Sequence, residues 1–198
     1  MSPLVESPPR LYSAAEYLAL EERAEFKSEY RDGEIIPMTG GSITHNCIVG
    51  NLLVWLKTSL RGQGTKIYIN DVKVWIPNHN HYTYPDILVI PGKPELQAPR
   101  TDTVLNPALI IEVLSPSTAA YDRGDKFKAY RSLPSFQEYW LVDQYQMQID
   151  QYCKTDDDTW LYRCYDLPES VIISPTLGLE MAIAVAYEEV EFDQEVKS

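Results

Sequence analysis

Residues 108–114 read ALIIEVL, and the single charge in that run, Glu112, decides how the chain is organised. Six apolar residues around one carboxylate describe a strand covered on both faces, as inside an α/β sheet. A carboxylate there is costly unless a cation or hydrogen-bond donors meet it. An arginine partner or a solvated strand end would satisfy it with no functional role, and on Glu112 alone the two readings weigh equally.

Working outward, Ser115-Pro116-Ser117-Thr118 forms a turn and helix entry, 122–132 has helical spacing and stops before Pro134, and 138–142 is a second strand. Strand, helix, strand predicts a parallel pair with a right-handed crossover inside a mixed sheet. Upstream, 86–90 is a short strand entered through Pro85, where a missing N–H costs least. The four prolines in 91–107 predict a long loop. The run from Lys66 to Ile69 continues through Val72, Val74 and Ile76 with a period of two.

Nearer the start, Ser13 followed by Glu16 is a capping box opening a helix to about Arg23, and Asp32-Gly33 turns a hairpin within 26–38. Residues 43–60 form a long helix ended by Gly62. Towards the end, 148–153 and 160–165 pair as a hairpin that could set Cys153 near Cys164, and 170–187 is strand-like. The expected fold is α/β (α+β): a mixed sheet flanked by helices, with additional C-terminal strands. One domain spans 11–187, between a flexible arm at 1–10 and an acidic tail at 188–198.

Asp86 changes the weight on Glu112. Tyr-Pro-Asp at the mouth of a strand sets a second carboxylate where it could meet the first if the strands are neighbours. Two oxygen ligands open to water on one side suit Mg²⁺ or Mn²⁺, which keep several waters and accept substrate oxygens. A turn aspartate after proline is the plain alternative for Asp86; as a pair, the metal reading prevails.

Lys126 shares a helical stripe with Asp122 and Tyr130, and the crossover could lay that stripe over the acidic pair. A lysine there could hold or deprotonate a water, or steady a phosphate; an ordinary solvated Asp–Lys pair is the alternative. Lys128 lies around the helix and is the second choice. Glu29, His45 and Asp71 carry weaker signals: a hairpin carboxylate, a residue at a helix start suited to capping or packing, and a bulge position. His79-Asn80-His81 falls in a turn and carries little weight as a metal site.

Net charge is −12, against the basic footprint of most nucleic-acid binders. Its distribution softens that objection. Glu188 to Ser198 hold five acids and one lysine and 156–158 are all aspartate, whereas 122–131 carry Arg123, Lys126, Lys128 and Arg131 against two aspartates. A metal site is itself acidic, and its ion inverts the charge a phosphate meets. The three cysteines have no zinc spacing and read as free thiols in a reducing compartment. No secretory signal is seen, and the longest apolar run, 181–187, is far short of the about 20 residues of a membrane span. The expectation is a cytoplasmic protein with no membrane partner. Nucleotide-binding loops, G-x-S-x-G and Cys-x-x-Cys are absent.

The strings YTYPDILVI, LIIEVLSPST and YDRGDKFKAYRSLPSFQEYWLVD, with FKSEYRDGEIIPMTGGSITHN before them, resemble the Uma family of restriction endonucleases within the PD-(D/E)XK nuclease superfamily. The likeness covers residues 12–185. It implies a restriction-endonuclease-like fold and divalent-metal hydrolysis of phosphodiesters, with Asp86 as the motif aspartate and Glu112 as the motif acid. Glu29 and His45 match other frequent polar positions of that family. Leu114 stands where the superfamily motif has lysine, and the family's supply of lysine from the following helix points to Lys126.

The functional expectation is a Mg²⁺-dependent endonuclease acting on DNA, as a homodimer if both duplex strands are cut. The alternatives are an inactive binding or regulatory module on the same fold, and a metal-dependent hydrolase of a smaller phosphoester.

Overall fold

The computed structural model describes residues 10–156 and 159–192. Most of the expected arm at 1–10, Asp157 and Asp158 of the aspartate cluster, and the end of the tail at 188–198 lie outside them.

Ser13 accepts the N–H of Glu16 while Glu16 returns to the Ser13 N–H, and this reciprocal cap opens helix α1 (Ala14–Glu21). The hairpin follows as β1 (Ser28–Arg31) and β2 (Glu34–Pro37), turned by Asp32 at φ 43° and Gly33 at φ 104°. Ser42 caps the long helix α2 (Ile43–Ser59).

The run expected from Lys66 to Ile76 divides. Asn70, at φ 53°, separates β3 (Lys66–Ile69) from β4 (Lys73–Ile76), and the two enter different sheets. Then come β5 (His81–Thr83), β6 (Ile87–Ile90), β7 (Thr103–Val104), which lies inside the proline-rich stretch, and β8 (Leu109–Leu114). Helix α3 begins earlier than its spacing suggests. It is α-helical over Ala119–Tyr121, π-helical over Asp122–Lys126 and α-helical again over Phe127–Tyr130. The chain ends through β9 (Glu138–Asp143), β10 (Ile149–Lys154), β11 (Trp160–Tyr165), β12 (Val171–Ser174) and β13 (Leu179–Ala182).

Six strands form the central mixed sheet, in the order β11-β10-β9-β8-β6-β3, with β8 and β9 parallel as the strand–helix–strand pattern predicts. A five-stranded sheet, β2-β1-β5-β4-β7, and the β12–β13 hairpin complete it. The expected mixed sheet is thus a central one with a second sheet beside it. Cys153 pairs with Leu161 and Cys164 with Asp150, so the two cysteines are offset and free.

The period of two sorts the central strands between two cores. Ile87, Val89, Leu109, Ile111, Val113, Trp140 and Val142 pack with α2 and the C-terminal hairpin. Leu88, Ile90, Ile110, Leu114, Tyr139 and Leu141 pack with α3 and with Val74 and Ile76 of the second sheet. Glu112 has the parity of Ile110 and Leu114, so it faces α3.

Candidate active site

Ile87 of β6 lies opposite Ile111 of β8, and the next step brings Asp86 beside Glu112. Asp86 Oδ2 accepts the Val113 N–H at 2.8 Å and meets His45 Nε2 at 3.1 Å. The Asp86 N–H faces Glu112 Oε2 at 3.4 Å. Glu112 Oε1 receives Lys126 Nζ at 2.9 Å and the Tyr130 hydroxyl at 3.0 Å. Each carboxylate is thus fixed mainly through one oxygen, and Asp86 Oδ1 and Glu112 Oε2 are the atoms that could take a cation.

Lys126 is buried, with Glu112, Asp122 at 3.4 Å and Glu29 at 3.5 Å around its ammonium. Burial alone would lower its pKa, but Glu112, Glu29 and Asp122 outweigh burial and hold it well above the usual lysine range. Glu112 is pushed up by burial, by Asp122 and by Asp86, against the pull of Lys126. Burial also works against ionised Glu29, yet Lys126, Thr83 and Arg31 hold it at about 2. Thr83 donates a short hydrogen bond to Glu29, and Arg31 pairs with it at 2.8 Å.

The π-helical turn carries Asp122 and Lys126 together toward Glu112, and its outer side is tied down by an ion pair between Arg123 and buried Asp150 of β10. Short π segments are frequent at functional sites. From the opposite side, Gln144 donates to the Leu114 carbonyl at 2.6 Å and accepts from Ser42 at 2.5 Å, fastening the start of α2 to the end of β8.

Glu29, Arg31, Ser42, His45, Asp86, Glu112, Asp122, Lys126 and Gln144 line a cleft of about 870 Å³. Glu25, Glu29, Asp86, Glu112 and Asp122 bring five negative charges when ionised, and Lys27, Arg31 and Lys126 bring three positive ones. With Glu112 ionised, carboxylates outnumber the permanent cations, and a bound cation would offset that excess. Among the described residues no three His, Cys, Asp or Glu side chains converge as a ready ligand set. A cation held by two carboxylates and completed by waters and substrate oxygens fits Mg²⁺ or Mn²⁺ better than a metal caged by protein.

Of the residues singled out from the sequence, Asp86, Glu112, Lys126, Glu29 and His45 lie in this cleft. Asp71 does not; it is exposed and pairs with Lys27. His79 ends a single 3₁₀ turn, and His81 is buried against Tyr121. Lys128 is exposed. The sequence reading missed Arg31, Thr83, Tyr121 and Gln144. Arg31 and Thr83 follow Glu29 and Tyr82 in strands whose alternation marked them only as polar.

A family model described as "Uma2: Putative restriction endonuclease" matches residues 14–186. The chain belongs to the Uma2 family. The Uma2 match contains every residue of the cleft network described above. Two Synechocystis sp. proteins are similar: "Uncharacterized protein sll1609" at 40% identity over 158 residues, covering 80% of this chain and 89% of that protein, and "Uncharacterized protein slr1290" at 39% over 180 residues, covering 91% and 93%. A crystal structure described as a putative nuclease belonging to DUF820, from Anabaena variabilis, superposes with TM-score 0.72 at 20% identity, covering 91% of this chain and 98% of that one. At that identity the likeness is one of fold, and it agrees with the restriction-endonuclease-like architecture expected of a Uma2 chain. No helix among the described residues is long and apolar enough to cross a membrane.

Proposed function

We propose that this chain is a Mg²⁺- or Mn²⁺-dependent endonuclease that hydrolyses phosphodiester bonds of DNA. The observation that carries the reading is the pairing of Asp86 and Glu112 in a cleft where carboxylates outnumber the permanent cations. The family description and the fold of the Anabaena variabilis protein support nuclease chemistry in general.

A bound divalent ion would supply Lewis-acid stabilisation of the phosphoryl oxygen and a more acidic water. Asp86 and Glu112 would hold it through Oδ1 and Oε2. His45 and the Val113 N–H keep Asp86 oriented, and Tyr130 and Lys126 do the same for Glu112. Lys126, ringed by three carboxylates, acts as a fixed ammonium. Of the roles open to a lysine here, it orients water or meets charge developing on the phosphate, and does not remove a proton. Glu29, fixed by Thr83 and Arg31, holds that ammonium in place.

The test is cleavage of plasmid, single-stranded DNA and RNA with Mg²⁺ or Mn²⁺, with Asp86→Ala as control. Cleavage of DNA that needs both the metal and Asp86 is expected. Metal-independent cleavage, or none on any substrate, would overturn the reading. The net charge of −12 favours one other assignment, a binding module that no longer cleaves, and absence of all cleavage would leave that one standing. If both strands of a duplex are cut, we further propose a symmetric dimer.

A further inference from the structure

Arg31 stands at the end of β1, immediately before the Asp32-Gly33 turn, and lines the same cleft as the carboxylate pair. Its guanidinium carbon lies 3.3 Å from the centroid of the Tyr121 ring, so one face of the group is covered. One terminal nitrogen donates to Glu29 Oε2 at 2.8 Å. The Nε–H is buried without an acceptor. The clamp is itself held, because the Tyr121 hydroxyl lies 3.2 Å from His81 Nε2 and Glu29 is fixed by Thr83 and Lys126. A guanidinium has five N–H donors, and a stacked one keeps its fork in a fixed plane. The Arg31 side chain is 30% exposed, and such a planar fork matches the oxygens of a phosphate.

The other cations of the cleft are committed. Lys27 pairs with Asp71, and Lys126 is buried under three carboxylates. Among the described residues of the cleft, Arg31 is therefore the permanent cation best supplied with spare donors.

We propose that Arg31 is a phosphate-binding residue, gripping a phosphate of the nucleic-acid strand next to the one cleaved at Asp86 and Glu112. The proposal rests on the endonuclease reading and adds to it the group that sets the strand in register.

The experiment measures binding of labelled single-stranded and duplex oligonucleotides by fluorescence anisotropy, with Ca²⁺ replacing Mg²⁺ to prevent cleavage, over a series of salt concentrations. Arg31→Gln should weaken binding about tenfold or more and reduce the slope of log affinity against log salt by about 1. Arg31→Lys keeps the charge but not the planar fork, so it should recover most of the slope and only part of the affinity. Lys128→Gln, on an exposed site outside the cleft, should leave both nearly unchanged.

An unchanged slope and affinity in Arg31→Gln would overturn the proposal, as would failure of the wild type to bind any oligonucleotide. If Arg31→Gln does not fold, Arg31→Lys decides: affinity equal to wild type counts against the fork. Inorganic phosphate competing as well as an oligonucleotide at equal phosphate concentration would reassign the ligand as free phosphate and end the strand assignment. Binding that depends on Arg31 without any metal-dependent cleavage would sink the endonuclease reading alone. Cleavage and binding insensitive to Arg31 would sink this proposal alone.

Discussion

Asp86 Oδ2 accepts the backbone N–H of Val113 at 2.8 Å, a side chain doing the work of a strand carbonyl one step beyond the last β6–β8 pair. The candidate ligand is thereby part of the ladder that positions its partner Glu112. Removing the whole side chain and removing only its charge should therefore have different consequences.

Asp86→Asn keeps an acceptor for Val113 and removes one charge from a crowded acidic site, so the metal-free variant should melt no lower than wild type. Mg²⁺ at about 100 times its Kd should stabilise the wild type by about 2.7 kcal/mol, or roughly 5–10 °C in Tm, and the variant far less. Scanning fluorimetry with and without metal measures this. Equal shifts in both proteins would remove Asp86 from the ligand set.

Lys126→Met should lower cleavage by about 100- to 1,000-fold, the usual cost of losing a fixed stabilising charge. It should also destabilise the metal-free protein by about 3–5 kcal/mol, because Glu29, Glu112 and Asp122 lose their shared cation. From the helical stripe alone the expectation would be that the fold is spared; the threefold pairing revises it. Mg²⁺ should accordingly raise the Tm of Lys126→Met more than that of wild type, if the variant still binds metal. Lys128→Met should match wild type in both assays, and comparable cleavage by the two variants would end the Lys126 assignment.

Two adjacent glycines give a controlled pair. A Cβ on Gly41 would lie 2.7 Å from His45 Nδ1, whereas one on Gly40 would meet nothing within 4 Å. Gly41→Ala should push the His45 ring off Asp86 and weaken metal binding, and Gly40→Ala should not. In a His45→Ala background the effect of Gly41→Ala should vanish, which calorimetric titration with Mn²⁺ can read. A full effect in that background would mean that Gly41 acts through something other than His45.

Burial lowers the pKa of His81 from its usual 6.5 to about 4, so the fold favours the neutral ring. Stability from this group is complete above pH 6.5 and is lost as pH falls from 6.5 to 4, by up to about 3 kcal/mol. Denaturant titrations at a series of pH values should show wild type losing more stability across that window than His81→Gln. Parallel losses in the two proteins would show that His81 is not the titrating group.

The acidic pair was legible because a charge in a run such as ALIIEVL is conspicuous, and because Asp86 opens the other apolar strand. Lys126 followed from helical spacing after the Glu112 strand. Its π-helical setting did not, since one extra residue in a turn leaves no mark on composition. The division into two sheets was hidden for a related reason. Lys66 to Ile69 and Lys73 to Ile76 share a period of two, and the break between them is marked by the positive φ of Asn70. The offset of Cys153 from Cys164 depends on hairpin register, which the alternation of either strand alone does not fix. Arg31 and Tyr121 lie far apart in sequence and meet only because the hairpin sheet packs beside α3.

The π turn over Asp122–Lys126 stores the reach of Lys126 as a count of residues. Deleting Gly124, a position where even an added Cβ would touch nothing, would let the segment rewind as ordinary α-helix. Rewinding would absorb the lost residue and leave the flanking helix in place, so the change would fall on the turn itself, on the spacing that sets Asp122 and Lys126 together beside Glu112. A change of length in this turn would thus reset the reach of Lys126 while keeping every residue of the acidic pair.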